Sequence, residues 1–526
     1  MADSKTNMFV RDSTGLVKNV SALDAVALNV SNMSAGAALA TIGFTTVLPV
    51  ILGGSFLGFF DGANLVYGSI IAFVLAIPQV VVYTMMSRRV SRTGGDYVWV
   101  SRAFGGFLGG PLSFMGYTIE TTAYLALIAL SAVFAIGSVG VTLGYMNFLG
   151  LALPGNIPGA DVVSQFVVAA VIFAILIGIN LLKPKLGYKL VSVFMTVGVL
   201  VLILAIFTIL SAGRAGAEGY AGSIASFAND SSLTYTSMVN SYTGPAFSFS
   251  NTLLLLPFFA LFVYPWINAG PAVASELKGK TALRWNIPIA ITVVFVLVTS
   301  AFASMYYAGG TRFVNAALAN PTYVYDYAFN FWTMAMGVTT NTALQWIIGI
   351  GWIVWELAIL AYGIIVLSRY VFAQAFDRFL PAKFADVHQR FGSPWVALLF
   401  GLVLVTFLIA GASFVYGSFV SLYGAVVASM IYFIFVGLSA VIYASRNEKG
   451  GTKRLLSLAG ILQVLVFLYL TYQFLYYSTI WGGNPLAYGW VVGSFVIGII
   501  LYAASKAYHA KRGINIDMTY KEIPPD

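Results

Sequence analysis

From Leu455 to Ser505 the chain carries no Asp, Glu, Lys or Arg. A helix needs about 20 apolar residues to cross the ~30 Å hydrocarbon core of a bilayer. That stretch is long enough for two crossings, with a turn at Gly482-Gly483-Asn484-Pro485. The same reading along the whole chain gives twelve spans, at 22–52, 62–86, 104–140, 162–182, 190–211, 250–277, 285–308, 344–372, 394–412, 416–443, 455–480 and 487–507. Two longer polar loops are expected, 212–249 and 309–343, the first with a glycosylation sequon at Asn229-Asp230-Ser231. Only 9% of residues are charged, against about a quarter in soluble domains. No loop can bury a core of its own, which argues against an enzyme domain. There is no cysteine, and His388 and His509 lie in polar stretches near basic residues. Neither a metal site nor a cofactor is expected from such a set.

The basic residues fix an orientation. With the N-terminus inside, 25 of the 27 Lys and Arg fall on the inner side, and only Arg214 and Arg312 fall outside. This is the asymmetry of cytoplasmic loops. It implies a multi-pass protein of the cell membrane with both termini cytosolic. The polar first 20 residues predict no cleaved leader. The domains follow: a cytosolic tail 1–20, a core of ten spans 21–445, spans 11 and 12 within 446–507, and a cytosolic tail 508–526.

Two spans are interrupted near their middle. Span 1 collects small and polar residues from Asn29 to Ala38, with Ser34, Ala35, Gly36 and Ala37 at the centre. Span 6 reads Phe262-Val263-Tyr264-Pro265-Trp266-Ile267-Asn268-Ala269-Gly270-Pro271, where each proline removes a backbone donor. Breaks at corresponding positions of two inverted halves, spans 1–5 and 6–10, point to a transporter site. An exposed N–H end suits a carboxylate and an exposed C=O end an ammonium. Counted from the span starts, Gly36, Pro265, Glu120 and Glu356 all lie ~13 residues deep, about 20 Å of helix. All four are therefore expected near the bilayer middle. Two carboxylates at that depth are candidates for proton coupling or for meeting a cationic substrate. A side chain at Gly36 would block close backbone approach. Gly36→Val is expected to stop uptake and spare folding.

Four segments in order resemble the amino acid–polyamine–organocation superfamily: Asp24-Ala25-Val26-Ala27-Leu28 through Gly36; Gly94-Gly95-Asp96-Tyr97 through Arg102-Ala103-Phe104-Gly105; Ala274-Ser275-Glu276-Leu277-Lys278 with Asn286-Ile287-Pro288; and Ser368-Arg369-Tyr370 through Asp377-Arg378-Phe379-Leu380-Pro381 to Gly392-Ser393-Pro394. The resemblance implies an all-α integral membrane protein of about twelve transmembrane helices. Its core would be a 5+5 inverted repeat with broken helices 1 and 6, and two helices would be peripheral. It also implies alternating access. By the same resemblance, Ser34, Ala35, Gly36 and Ala37 would hold the substrate carboxylate. Phe262, Val263, Tyr264 and Pro265 would hold the amine, with Tyr264 and Trp266 as aromatic gates and Asn268 beside them. Trp266 stands where the family usually has glycine, so Trp266→Gly is expected to widen the substrate range. The span 5 lysine and the paired span 8 hydroxyls that relatives use for coupling are missing. The function implied is secondary transport of neutral or cationic amino acids or related amines, with protons as a candidate coupling ion. The alternatives are a polyamine exchanger, or a receptor or channel that moves no solute.

Overall fold

A computed structural model describes the chain apart from residues 1–8, 11–12, 17, 43–59, 146–150, 152–161, 229, 321–322, 324–328, 416–424, 478–484 and 526. The later part of span 1, the first part of span 10, the sequon asparagine and most of the turn between spans 11 and 12 lie outside the described residues.

The fold is nearly all helical. Among the described residues ten helices are long and apolar enough to cross a membrane: Leu65–Arg89, Asp96–Thr142, Val162–Leu182, Pro184–Ser226, Thr281–Ala319, Thr342–Phe376, Trp395–Val415, Val427–Asn447, Gly450–Tyr476 and Tyr488–Ala510. These are spans 2–5 and 7–12. Spans 1 and 6 are the two broken ones. Span 1 consists of Ala22–Asn32 and Ala35–Thr41, and span 6 of Phe249–Leu253, Leu256–Phe262 and Ala269–Ala272. The chain is thus an integral membrane protein of the fold expected, with the broken helices where the small and proline-bearing segments lie. Ser21 starts span 1 in a capping box with Asp24, satisfying donors that a helix end leaves open.

The two long loops are not loops throughout. The helix of span 5 continues past the membrane to Ala228, bent at Gly213 (φ 53°, ψ −145°), and span 7 continues to Ala319, bent at Gly310 (φ 73°, ψ 154°). Both bends need a residue without a side chain at positive φ. Beyond the bends the helices run on through the polar stretches Arg214 to Gly222 and Thr311 to Ala319, so polarity there does not mark the end of the helix. A third helix of this surface, Phe331–Gly337, is capped by Asn330.

Spans 11 and 12 sit on the flank. Span 11 packs on span 10, where Gly437 and Gly460 bring the backbones so close that a Cβ on Gly460 would lie 2.7 Å from the Gly437 carbonyl. Small residues of this kind let membrane helices approach.

Candidate functional site

The break in span 1 falls at Met33-Ser34. Ser34 adopts left-handed backbone (φ 38°, ψ 39°), which redirects the chain before the second half-helix starts at Ala35. No side chain caps that new N-terminus, so the first-turn N–H groups of Ala35, Gly36 and Ala37 lack an acceptor within the helix. The Ser34 hydroxyl bonds the Asn32 carbonyl at 3.1 Å and makes a short hydrogen bond with the Tyr124 hydroxyl of span 3.

Span 6 ends its first half at Phe262, and the chain runs without helix from Val263 to Asn268. Trp266 folds back over the carbonyl end of that half-helix. Its indole N–H lies 3.0 Å from the Ala260 carbonyl and 2.8 Å from that of Leu261. The indole also stacks on Tyr124, with ring centroids 5.3 Å apart and planes 19° from parallel. One line of contacts, Ser34 to Tyr124 to Trp266, therefore joins the two breaks. Below it, the Asn32 amide donates to Asn268 (2.8 Å), and Asn268 donates to the Tyr370 hydroxyl (3.2 Å). Asn32, Ser34, Tyr124, Trp266 and Asn268 are all buried.

Not every predicted site residue faces this junction. The Tyr264 hydroxyl bonds Ser69 of span 2 at 2.6 Å, and its ring packs against Phe73 and Phe259, away from span 1. The Pro265 carbonyl accepts from Gln79 at 3.0 Å. Phe262 and Val263 are buried in the break itself. The space a side chain at Gly36 would need is filled by the Trp355 indole of span 8. Gly36→Val would therefore drive a branched side chain into a buried tryptophan, and the expectation that it spares folding is corrected.

The carboxylates need a second correction. Glu120 follows a π-helical turn, Phe114–Ile119, that interrupts span 3. Such turns leave a carbonyl without its helical donor and are frequent at functional sites; here Ser429 of span 10 donates to the Gly116 carbonyl at 2.6 Å. Glu120 is fully buried. One of its oxygens accepts from Thr121 at 3.4 Å, and the other has no partner among the described residues. Glu356 accepts from the Trp352 indole at 3.3 Å, and its second oxygen is also unpartnered. Glu356 neighbours Ser131 of span 3. Ser131 lies eleven residues beyond Glu120 on the same helix, about 16 Å along the axis. The two carboxyls thus occupy different levels, whereas counting from the span starts put both at the middle. Span 8 runs from Thr342 to Phe376 and span 3 reaches back to Asp96. Both helices overrun the bilayer, so depths counted from their opposite ends do not meet.

Residues with no role assigned from the sequence complete the surroundings. At the end away from the termini, Trp332 of the Phe331–Gly337 helix donates its indole N–H to the Gly36 carbonyl (3.0 Å) and lies parallel to Trp352 (6.2 Å between centroids, 4° between planes). On the side of the termini, the motif segments meet each other. Arg369 makes paired bonds of 2.8 and 2.9 Å to Glu276, and Tyr188 of span 5 donates to the same carboxylate at 2.9 Å. Asp96 accepts from Tyr370 at 2.8 Å and, more closely, from Tyr83. Asp377 accepts a fork from Arg102 and a bond from Tyr97 at 2.8 Å. Backbone bridges tie Val20 to Leu277 and Thr93 to Val273. Gly94 and Gly95, both at positive φ, permit this crossing: a Cβ on Gly95 would lie 2.8 Å from the Pro271 backbone. The sequence held a signal for these contacts in the motif segments themselves, but nothing in it says which charge meets which.

The amino acid permease family matches residues 23–501. The chain belongs to that family. No curated protein sequence matches it. Membership of the amino acid–polyamine–organocation superfamily makes this permease a transporter of small molecules in a lipid bilayer, and points away from an enzyme.

Proposed function

We propose that this permease carries an α-amino acid or a related amine by alternating access, and that its structure is the closed, occluded form of the cycle. The observation that carries the reading is the junction at Ser34, Tyr124 and Trp266. Two half-helix ends of opposite polarity are brought together there, buried and with no basic side chain among them. Substrate carboxylate would meet the first-turn N–H groups from Ala35 to Ala37 beside Ser34. The amine would meet the carbonyl end at Phe262 and Val263, where Trp266 now lies. Trp266 and Tyr124 must then move as substrate enters, which gives an aromatic pair the work of a gate. Asn268 and Asn32 would transmit the change to the pair Tyr370 and Asp96.

The predominance of Lys and Arg at one end supports cytosolic termini. The Glu276, Arg369 and Tyr188 cluster then closes the cytosolic side, and the Trp332 helix closes the outer one. Residues 21–445 form the moving core, spans 11 and 12 its flank. Glu120, within electrostatic reach of Tyr362 together with Tyr124, is the better placed carboxyl for a proton or a substrate amine. Glu356 lies further out, among tryptophans. Uptake of labelled amino acids and polyamines by the purified protein in liposomes tests the reading. Saturable uptake accelerated by the same solute inside is expected. Binding without flux would favour a receptor and overturn it.

A further inference from the structure

A cavity of about 850 Å³ opens away from the junction of the two breaks, at the end of the bundle that carries both termini. Its walls are the segment leading into span 3, the end of span 10, span 12 and the tail that follows span 12. The sequence builds it with two glycines. Gly105 (φ 76°) swings the chain between the Asp96 helix and span 3, and Gly513 (φ 71°) turns the tail back beneath span 12. The tail is a fixed wall. Its Ile516–Lys521 turn buries Tyr520 against Gly106. Arg102 donates to the Thr519 and Glu522 carbonyls at 3.2 and 2.9 Å, and Arg92 to that of Pro524 at 2.7 Å.

Four cations and one carboxylate line this space: Arg102, Arg446, Lys506, Lys521 and Asp517. Arg102 is held by Asp377, and Lys506 by Asp517 at 2.6 Å. Arg446 and Lys521 form no ion pair among the described residues. They approach the space from opposite walls, the end of span 10 and the tail. A guanidinium presents a fork suited to phosphate oxygens, and an ammonium adds a point charge. The rim is apolar. Phe107 lines it, is 63% exposed on the outside of the bundle, and meets Tyr502 edge-on at 6.1 Å. Basic inside and apolar at the edge, the cavity matches a lipid whose headgroup phosphate turns inward while its chains run along Phe107. Basic pockets between spans bind anionic headgroups in this way. A free phosphate would gain nothing from the apolar rim.

We infer that this cavity binds the phosphate of an anionic membrane lipid, held chiefly by Arg446 and Lys521. The full-length protein, delipidated in detergent, can be titrated with phosphatidylglycerol under native mass spectrometry. Phosphatidylcholine, whose phosphate is balanced by its own choline ammonium, serves as the comparison of zero net charge. Phosphatidylglycerol is expected to bind about tenfold more tightly, and the double variant Arg446→Gln/Lys521→Gln to lose that margin. Both side chains lie at the surface or on the tail, so folding is not at stake. Lys511→Gln/Arg512→Gln, at the same end but outside the cavity, should bind as the parent does. Equal binding of the two lipids, or an unchanged margin in the first double variant, overturns the inference. Displacement of phosphatidylglycerol by millimolar inorganic phosphate would also overturn it, by making the site one for soluble anions.

Discussion

The two regions that close this molecule use opposite chemistry. At the end carrying the termini, the buried charges are paired or hydrogen-bonded: Arg369 with Glu276 and Arg102 with Asp377, with Tyr188 and Tyr97 donating to the same two carboxylates, and Asp96 accepting from Tyr83 and Tyr370. Around the breaks the described residues include no cation, and among them Glu120 and Glu356 each keep an oxygen without a partner. A buried, fully paired network fixes one arrangement, whereas an unpaired buried carboxyl is costly unless something else visits it. On the proposed reading, the comparison makes the first region a lock and the second a place left for a proton or a ligand.

Breaking the lock should have the largest effect. Arg369→Met leaves Glu276 buried and uncompensated and should cost about 3–5 kcal/mol, whereas Arg369→Met with Glu276→Leu should regain most of it. Thermal unfolding of the purified variants checks this. A double variant as unstable as the single one would mean the pair is more than a lock.

At the junction the effects should be smaller. Trp266→Phe keeps a ring to stack on Tyr124 but removes the N–H that meets the Ala260 and Leu261 carbonyls. A loss of about 1–3 kcal/mol is expected, together with an altered substrate profile in uptake competition. Trp266→Gly is a poorer probe, since it empties a buried tryptophan site and adds a cavity cost of about 3–5 kcal/mol. An unchanged profile in Trp266→Phe would reduce Trp266 to packing.

Neutralising the carboxyls should hardly alter stability. Glu120→Gln and Glu356→Gln are near isosteres at sites with one unpartnered oxygen, so changes below about 1 kcal/mol are expected. Their mark should be on transport. Glu120→Gln should flatten the pH dependence of uptake, or weaken cationic substrates alone, and Glu356→Gln should do less. Parent behaviour in both would remove the carboxyls from the mechanism.

The smallest effect belongs to the tail. Lys506 and Tyr502 beside Asp517 hold its carboxyl below the ordinary carboxylate range. A depressed value stabilises the folded tail above the unfolded pKa, and that contribution is lost as pH falls through the folded one. The pair is largely exposed, so solvent screening keeps it under about 1 kcal/mol. Asp517→Asn should make the tail more open to limited proteolysis at neutral pH and low salt, and no different from the parent once the pH is well below the carboxylate range.

Much of this was legible in the sequence. Charge-free runs locate the spans to within a few residues because lipid forbids charge, and Pro265, Pro271 and the small residues around Ser34 mark the breaks. The rest depends on tertiary contacts. The helices past Gly213 and Gly310 read as loops because their residues are polar. The π-turn before Glu120 leaves no mark on hydropathy. Trp355 fills the space at Gly36 from a span more than 300 residues away in sequence, and the levels of Glu120 and Glu356 depend on how far two overlong helices slide past each other.

The account's central claim is that the lock opens when substrate reaches the junction. The chain has no cysteine, so a single introduced thiol reports alone. Ser31 lies beside the span 1 break, is 1% exposed, and its hydroxyl has no partner among the described residues. In liposomes, Ser31→Cys should react slowly with a membrane-permeant maleimide. It should react several-fold faster when transported amino acid is added, and faster without substrate when Glu276→Gln is combined with it. Labelling that responds to neither substrate nor the Glu276 variant would contradict the claim.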